Sequence, residues 1–266
     1  MVCRTTLDGD VNLNNDDVVI VEFVETDLTN ATVIAGFPSI GLVSTIIANY
    51  MIDAFSLKQV GALECPHFPT LSVVHTGEPL SPVRIYAGTV ESGEKVVIFV
   101  SEFKPKPHLI NSISNVIMDW VKQKNCKMVI SPEGMVVEGQ NGEVSDAVTA
   151  YAIGSTDHAR EYLATQDVPI FKNGIIAGVS GVLLNKGKHE NLDVVSILSE
   201  AHPNYPDARA AASAINVIAS LLNANINVGP LYEEAERIEK QLQKFHKQAK
   251  PMTTGATQIP QPCMYG

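Results

Sequence analysis

Short runs of β-branched and apolar residues alternate with helical patterns along this chain, and this alternation limits its fold more than any other feature. Strands are predicted at Val18–Val24, Ala31–Gly36, Leu57–Glu64, Leu71–His75, Val83–Thr89, Val96–Val100, Met128–Ile130, Thr149–Ile153 and Val194–Leu198. Helices are predicted at Ile40–Ala54 (with Ser39 as N-cap), Leu109–Lys122, Asp157–Ala164 and Pro206–Leu222. Such alternation indicates βαβ units, and the prediction is an α/β fold in three layers, with a mostly parallel sheet between helices.

The chain is predicted to have four parts. A polar, flexible arm covers residues 1–17, the α/β domain covers 18–228, a C-terminal helix covers 229–250, and an extended tail covers 251–266. No helix is predicted for the Gly-rich stretch between residues 175 and 184.

The C-terminal helix carries a heptad-like apolar seam, since apolar residues recur at spacings of four and three. The helix can lie on its own domain, associate with copies of itself, or bind another partner. The candidates for oligomerisation are Leu231, Ile238, Leu242 and Phe245.

The charge of the chain limits its partners. Twenty-nine acidic residues against nineteen basic ones give a net charge of −10, which repels phosphate backbones and anionic lipid surfaces. We therefore predict no nucleic-acid partner and no membrane association. The first residues lack a basic region followed by an apolar stretch, so the predicted location is the cytoplasm. The cysteines and histidines show no zinc-like spacing, and no metal or cofactor is predicted.

Two glycine-containing segments come close to enzyme motifs and then depart from them. Residues 36–41, Gly-Phe-Pro-Ser-Ile-Gly, stand at a strand-to-helix turn but lack the Gly-Lys-Ser/Thr ending of a phosphate loop. Residues 178–182, Gly-Val-Ser-Gly-Val, miss the nucleophile elbow Gly-x-Ser-x-Gly by one position. We predict that these glycines serve tight turns and close packing.

Polar residues follow several predicted strands. Glu102, Glu133 and His202 come after the strands that end near Val100, Ile130 and Leu198. In an open parallel sheet, the carboxyl ends of the strands border the usual ligand crevice, where a Glu/His group could perform acid–base chemistry. The alternative is that strand ends meet water and collect polar residues.

Four segments resemble the archaeal proteasome assembly chaperone family. They are residues 36–41, Ser131-Pro132-Glu133-Gly134, the Gly-rich stretch 173–184, and Pro206-Asp207-Ala208-Arg209-Ala210-Ala211. Such proteins have also been described as ATP-grasp-like. The resemblance implies a phosphorylase/hydrolase-like three-layer fold and homo-oligomers.

The resemblance also concerns the last three residues, Met264-Tyr265-Gly266, because family members that act on proteasomes end in hydrophobic–Tyr–any residue. Tyrosine is a rigid amphipathic anchor, methionine fills apolar grooves, and a terminal carboxylate can pair with a lysine. The partner implied is the proteasome core particle, with the tail inserted into pockets of its α-ring.

Three hypotheses follow from the sequence. The first is a non-enzymatic proteasome-binding protein, an assembly chaperone or an ATP-independent activator, that docks through its tail. The alternative is a hydrolase or nucleotide-dependent enzyme that uses Glu102, Glu133 or His202. The third is an oligomeric scaffold whose tail is incidental.

Overall fold

A computed structural model of the chain describes residues 18–136 and 148–238. Its strands are β1 (Val19–Glu22), β2 (Thr32–Gly36), β3 (Lys58–Glu64), β4 (Val73–His75), β5 (Glu78–Leu80), β6 (Val83–Thr89), β7 (Lys95–Ser101), β8 (Met128–Met135), β9 (Ala150–Gly154) and β10 (Val194–Glu200). Its helices are α1 (Val43–Ala54), α2 (Pro107–Gln123), α3 (Asp157–Ala164), α4 (Gly178–Glu190), α5 (Ala208–Leu221) and α6, described over 229–238. The predicted arm 1–17, the helix beyond 238 and the tail 251–266 lie outside these ranges.

Eight strands form one mixed sheet in the order β1-β3-β6-β7-β2-β8-β10-β9. The four central strands β7, β2, β8 and β10 are parallel neighbours, whereas β1, β6 and β9 run antiparallel to the strands beside them. Five of the eight strands therefore point the same way, with their carboxyl ends at one edge. The predicted α/β class and the mostly parallel sheet are confirmed.

Alternation along the central strands sends side chains into two separate cores. On one face, Ile34, Ile98 and Ile130 pack against α1, α3, α5 and α6. On the other face, Phe99 and Val129 pack against α2 and α4. Because successive side chains of a strand point to opposite faces, strands buried on both sides read as continuous apolar runs, as β7 does.

Two predicted elements differ from the structure around glycines. The helix predicted at Ile40–Ala54 is broken, because Ile40–Leu42 form a 3₁₀ turn in which Gly41 and Leu42 are left-handed, with φ of 60° and 52°. The cap position of α1 is therefore Leu42 rather than Ser39. The other difference is α4, which occupies the Gly-rich stretch for which no helix is predicted.

A small hairpin, β4–β5, stands apart from the main sheet. Its tip has positive φ at Thr76 and Gly77, and Val74 is 71% exposed. No residue of either strand belongs to the two cores. The hairpin replaces the single strand predicted at Leu71–His75.

Trp120 joins three elements within the second core. Its ring meets the ring of Phe99 edge-on, with centroids 5.4 Å apart at 90°. Its indole Nε1 donates a hydrogen bond of 2.6 Å to Glu22 Oε1 of β1, and Lys124 forms an ion pair of 2.9 Å with the same carboxylate. The edge strand β1 is thereby tied to α2.

Helix α6 packs on its own chain through Leu231 and Ala235, which are 6% and 4% exposed and belong to the first core. The turn before it is held by Tyr50, whose hydroxyl donates to the carbonyl of Asn227. Among the described helices, none has both the length and the apolar character needed to cross a bilayer.

Phe99→Ala should lower the free energy of unfolding by about 3–5 kcal/mol, because Phe99 is fully buried and its truncation leaves a cavity. The matched control is Phe23→Ala, since Phe23 is 42% exposed and should cost less than about 1 kcal/mol. Urea denaturation measures both values, and equal losses would contradict the two-sided core.

Candidate functional site

The carboxyl ends of the four central strands meet at one edge of the sheet, and the three predicted acid–base residues lie there. Glu102 directly follows β7, Glu133 belongs to β8, and His202 follows β10 by two residues. The prediction that β8 ends at Ile130 is wrong, because its pairing with β10 continues through Ser131-Pro132-Glu133-Gly134 to Met135.

Glu102 compensates a buried charge. Its Oε1 lies 2.5 Å from Arg84 Nη2, and the Arg84 residue is only 4% exposed. Arg84 Nη1 also donates a hydrogen bond of 3.0 Å to the carbonyl of Ser81. A buried guanidinium without a carboxylate partner would be strongly destabilising, so Glu102 has a structural role.

Glu133 belongs to a cluster of hydroxyl groups between β8 and the start of α4. Ser180 Oγ donates to Glu133 Oε1 at 2.5 Å, and Ser131 Oγ lies 2.5 Å from Ser180 Oγ. Burial raises the pKa of the Glu133 carboxyl from 4.5 to about 7, although the bond from Ser180 and the charge of Lys104 act in the opposite direction. A carboxyl with such a pKa changes charge near neutral pH.

His202 is held by the residue that caps α5. Asp207 Oδ1 accepts a hydrogen bond of 2.9 Å from the backbone N–H of Ala210, as an N-cap residue does. Asp207 Oδ2 lies 2.8 Å from His202 Nδ1 and accepts a bond of 3.0 Å from the His202 backbone N–H. The His202 ring stacks on Tyr205 with centroids 4.7 Å apart.

Each predicted acid–base residue thus has a different partner. Among the described residues, no hydrogen bond or ion pair joins any two of Glu102, Glu133 and His202. The partners Arg84, Ser180 and Asp207 come from other elements and were not predicted. Only the N-cap at Asp207 has a sequence signal, because it follows Pro206 and directly precedes an Ala-rich helix.

Two glycines, one before the turn that follows β2 and one beside it, are closely packed. A Cβ on Gly36 would lie 2.4 Å from Ala48 Cβ, and one on Gly134 would lie 2.1 Å from the carbonyl oxygen of Ile40. Ser39 Oγ accepts hydrogen bonds of 3.2 Å from the backbone N–H groups of Ser44 and Gly134. Gly36 therefore serves close packing, as predicted, and Gly134, for which no role was predicted, does the same.

A groove of about 560 Å³ lies at the opposite edge of the sheet, near the amino ends of β8 and β10. The charged groups in it are paired within the chain: Lys122 Nζ lies 2.9 Å from Glu190 Oε2, and His158 Nδ1 lies 2.5 Å from Asp193 Oδ2. Glu102, Glu133 and His202 do not line this groove.

The predicted partner-binding residues Met264, Tyr265 and Gly266 lie outside the described residues, as do Leu242 and Phe245 of the predicted oligomerisation seam. Leu231 packs in the core of its own chain, and Ile238 is half-buried. The first turns of the predicted seam therefore contact the domain itself.

The raised pKa of Glu133 predicts a pH-dependent stability. Because the native pKa exceeds the ordinary value, wild-type stability should be complete below about pH 4.5 and should fall as the pH rises through 7, by at most about 3 kcal/mol. Glu133→Gln cannot ionise. Its free energy of unfolding, relative to that of the wild type, should therefore increase from pH 5 to pH 8.5. Urea denaturation at both pH values measures this difference.

Ser180→Ala is the companion variant for this prediction. The hydroxyl of Ser180 lowers the pKa of Glu133 in the wild type. Its removal should therefore raise that pKa further and enlarge the loss of stability with rising pH. Parallel stability profiles of the wild type and Glu133→Gln would show that the carboxyl does not titrate in this range.

A family model and a related protein each match most of this chain. The model of the PAC2 family matches residues 33–246. The uncharacterised protein MJ0106 of Methanocaldococcus jannaschii is 30% identical over 233 residues, which are 88% of this chain and 92% of that protein.

Solved structures with the same fold include two from Pyrococcus furiosus. PbaA, an archaeal homolog of proteasome-assembly chaperone, has a TM-score of 0.77 and 31% identity, with 88% of this chain and 94% of that chain covered. PbaB, an archaeal proteasome activator, has a TM-score of 0.76 at 22% identity, with 87% and 99% covered, and it shows the fold alone. The resemblance found in the sequence is confirmed, and this chain belongs to the PAC2 family.

Proposed function

We propose that this chain binds a proteasome core particle, as an assembly chaperone or an ATP-independent activator, and docks through Met264-Tyr265-Gly266. The observation that carries the proposal is the match to PbaA, a homolog of proteasome-assembly chaperone, at 31% identity over 88% of this chain. The strand-end residues Glu102, Glu133 and His202 are each bonded to a separate partner within the chain.

The chemistry of the last three residues supports docking in a pocket between subunits. The Tyr265 ring buries a large area at the cost of few rotatable bonds, and Met264 adapts to an irregular apolar surface. The carboxylate of Gly266 forms a charge-assisted contact with a lysine of the partner.

The described part of the chain provides a fixed attachment point for such a tail. Leu231 and Ala235 fix α6 to the first core, and twenty-eight residues (239–266) follow the last described residue of α6. A single short peptide binds weakly because it must be ordered on binding. Several copies joined in a homo-oligomer present several tails at a high effective concentration, which raises the overall affinity.

Tyr265→Ala should weaken binding to an archaeal proteasome core particle by about 30-fold or more, because the main anchor of the tail is lost. Tyr265→Phe keeps the ring and should lose less. Surface plasmon resonance with the full chain over immobilised core particles measures these affinities.

The matched control is Tyr232→Ala, since Tyr232 is 37% exposed on α6 and should leave binding unchanged. Adding one residue after Gly266 tests the carboxylate separately and should weaken binding. Equal binding by the wild type and Tyr265→Ala would remove the tail as the docking site.

A further inference from the structure

Residues 172–175 form a short exposed span between two anchored ends. On one side, the backbone N–H of Phe171 donates a hydrogen bond of 2.9 Å to the carbonyl of Ala152 in β9. On the other side, the carbonyl of Ile176 packs against Gly181, where a Cβ would lie 2.2 Å from its oxygen. All four residues of the span are exposed, and none belongs to either core. A span of this kind can change its local conformation without unfolding the domain.

The span contains an Asn-Gly pair, Asn173-Gly174. Glycine has no side chain to obstruct its own backbone nitrogen, and it adopts more backbone conformations than any other residue. The structure gives a reason for glycine at this position, because a Cβ there would lie 2.2 Å from Cζ of the Phe171 ring. Packing against Phe171 therefore places the most permissive residue directly after an exposed asparagine.

The backbone N–H of Gly174 is unengaged. Among the described residues, it donates no hydrogen bond, and the side-chain amide of Asn173 forms none either. Most backbone N–H groups of a folded protein are paired, so an unpaired one on an exposed span is unusual. The Gly174 nitrogen can therefore approach Cγ of Asn173 without first breaking a bond of the fold.

Other exposed asparagines are held differently. Asn30 and Asn223 are each followed by alanine, which is also small. The N–H of that alanine, however, donates a hydrogen bond of 2.9 Å in both cases, to the carbonyl of Leu28 after Asn30 and to that of Ala219 after Asn223. Attack by either nitrogen would require local opening. The fold therefore distinguishes Asn173 from these two asparagines.

We propose that Asn173 is a site of spontaneous covalent modification, at which water replaces the side-chain amide. The Gly174 nitrogen loses its proton to a base and forms a bond to Cγ of Asn173. The bond from Cγ to Nδ2 then breaks, and ammonia leaves with a proton in place of the one lost. Water opens the resulting cyclic imide at one of its two carbonyls and gives aspartate or isoaspartate. Asparagine belongs to the thermolabile residues, and this step needs no oxidant or cofactor.

The product changes the surface next to α4. The new carboxylate adds a negative charge to a chain whose net charge is already −10. Isoaspartate also inserts a methylene group into the backbone. Because Phe171 and Ile176 are anchored, residues 172–175 must absorb the added length. The proposal does not depend on proteasome binding.

Ageing of the full chain in mildly alkaline buffer, followed by peptide mapping with mass spectrometry, tests the site. The same incubation in guanidinium chloride gives the rate of each asparagine in the unfolded chain, and the ratio of the two rates removes the effect of sequence. Folding should slow the reaction of Asn173 less than about fivefold, and that of Asn30 and Asn223 more than about fiftyfold. Labelling with an isoaspartyl methyltransferase identifies the isoaspartate product.

Two variants serve as controls. Asn173→Gln should remove the product at residue 173, because glutamine would have to form a larger ring. Asn141→Gln removes the other Asn-Gly pair of the sequence, which lies outside the described residues, and it should leave the product at residue 173 unchanged. Either of two results would overturn the proposal: folding protects Asn173 as strongly as Asn30 and Asn223, or the aged, folded wild type contains neither aspartate nor isoaspartate at residue 173.

Discussion

The burial of the four central strands on both faces governs the rest of this structure. Val97 and Phe99 enter one core while Ile98 enters the other, so each strand needs helices on both sides. Parallel neighbours cannot be joined by tight turns, and their connections must cross over, usually through a helix. The carboxyl ends of the strands then collect at one edge, and the loops that leave this edge carry the polar residues.

The burial of the strands on both faces also determines why the acidic residues at that edge have partners within the chain. A residue at the end of a doubly covered strand is partly desolvated, and a carboxylate there needs a compensating partner. The chain supplies a guanidinium for Glu102, hydroxyl groups for Glu133, and a helix start with an imidazole for Asp207. Acidic residues that suggest catalysis in a linear sequence are, in three dimensions, parts of three separate local networks.

The sequence predicted most of the strands and helices but not the contacts between them. β6 and α3 have the predicted bounds, because period-two and period-3.6 patterns are local properties. Helix α4 was missed because Gly178, Gly181 and Gly187 lower its helix propensity. The structure supplies the reason for two of them: a Cβ at Gly181 would meet Ile176, and one at Gly187 would meet Val194. Arg84 and Ser180 could not be predicted as partners, since their pairing depends on which elements become neighbours.

Trp120 has a consequence for how this protein can be observed. It is the single tryptophan of the chain, and it lies at the meeting point of β1, α2 and the ring of Phe99. Intrinsic fluorescence excited at the indole band therefore reports on one helix layer. Separation of β1 from α2 would change this signal at once. The molecule thus contains an optical probe for one of its two cores, without any label.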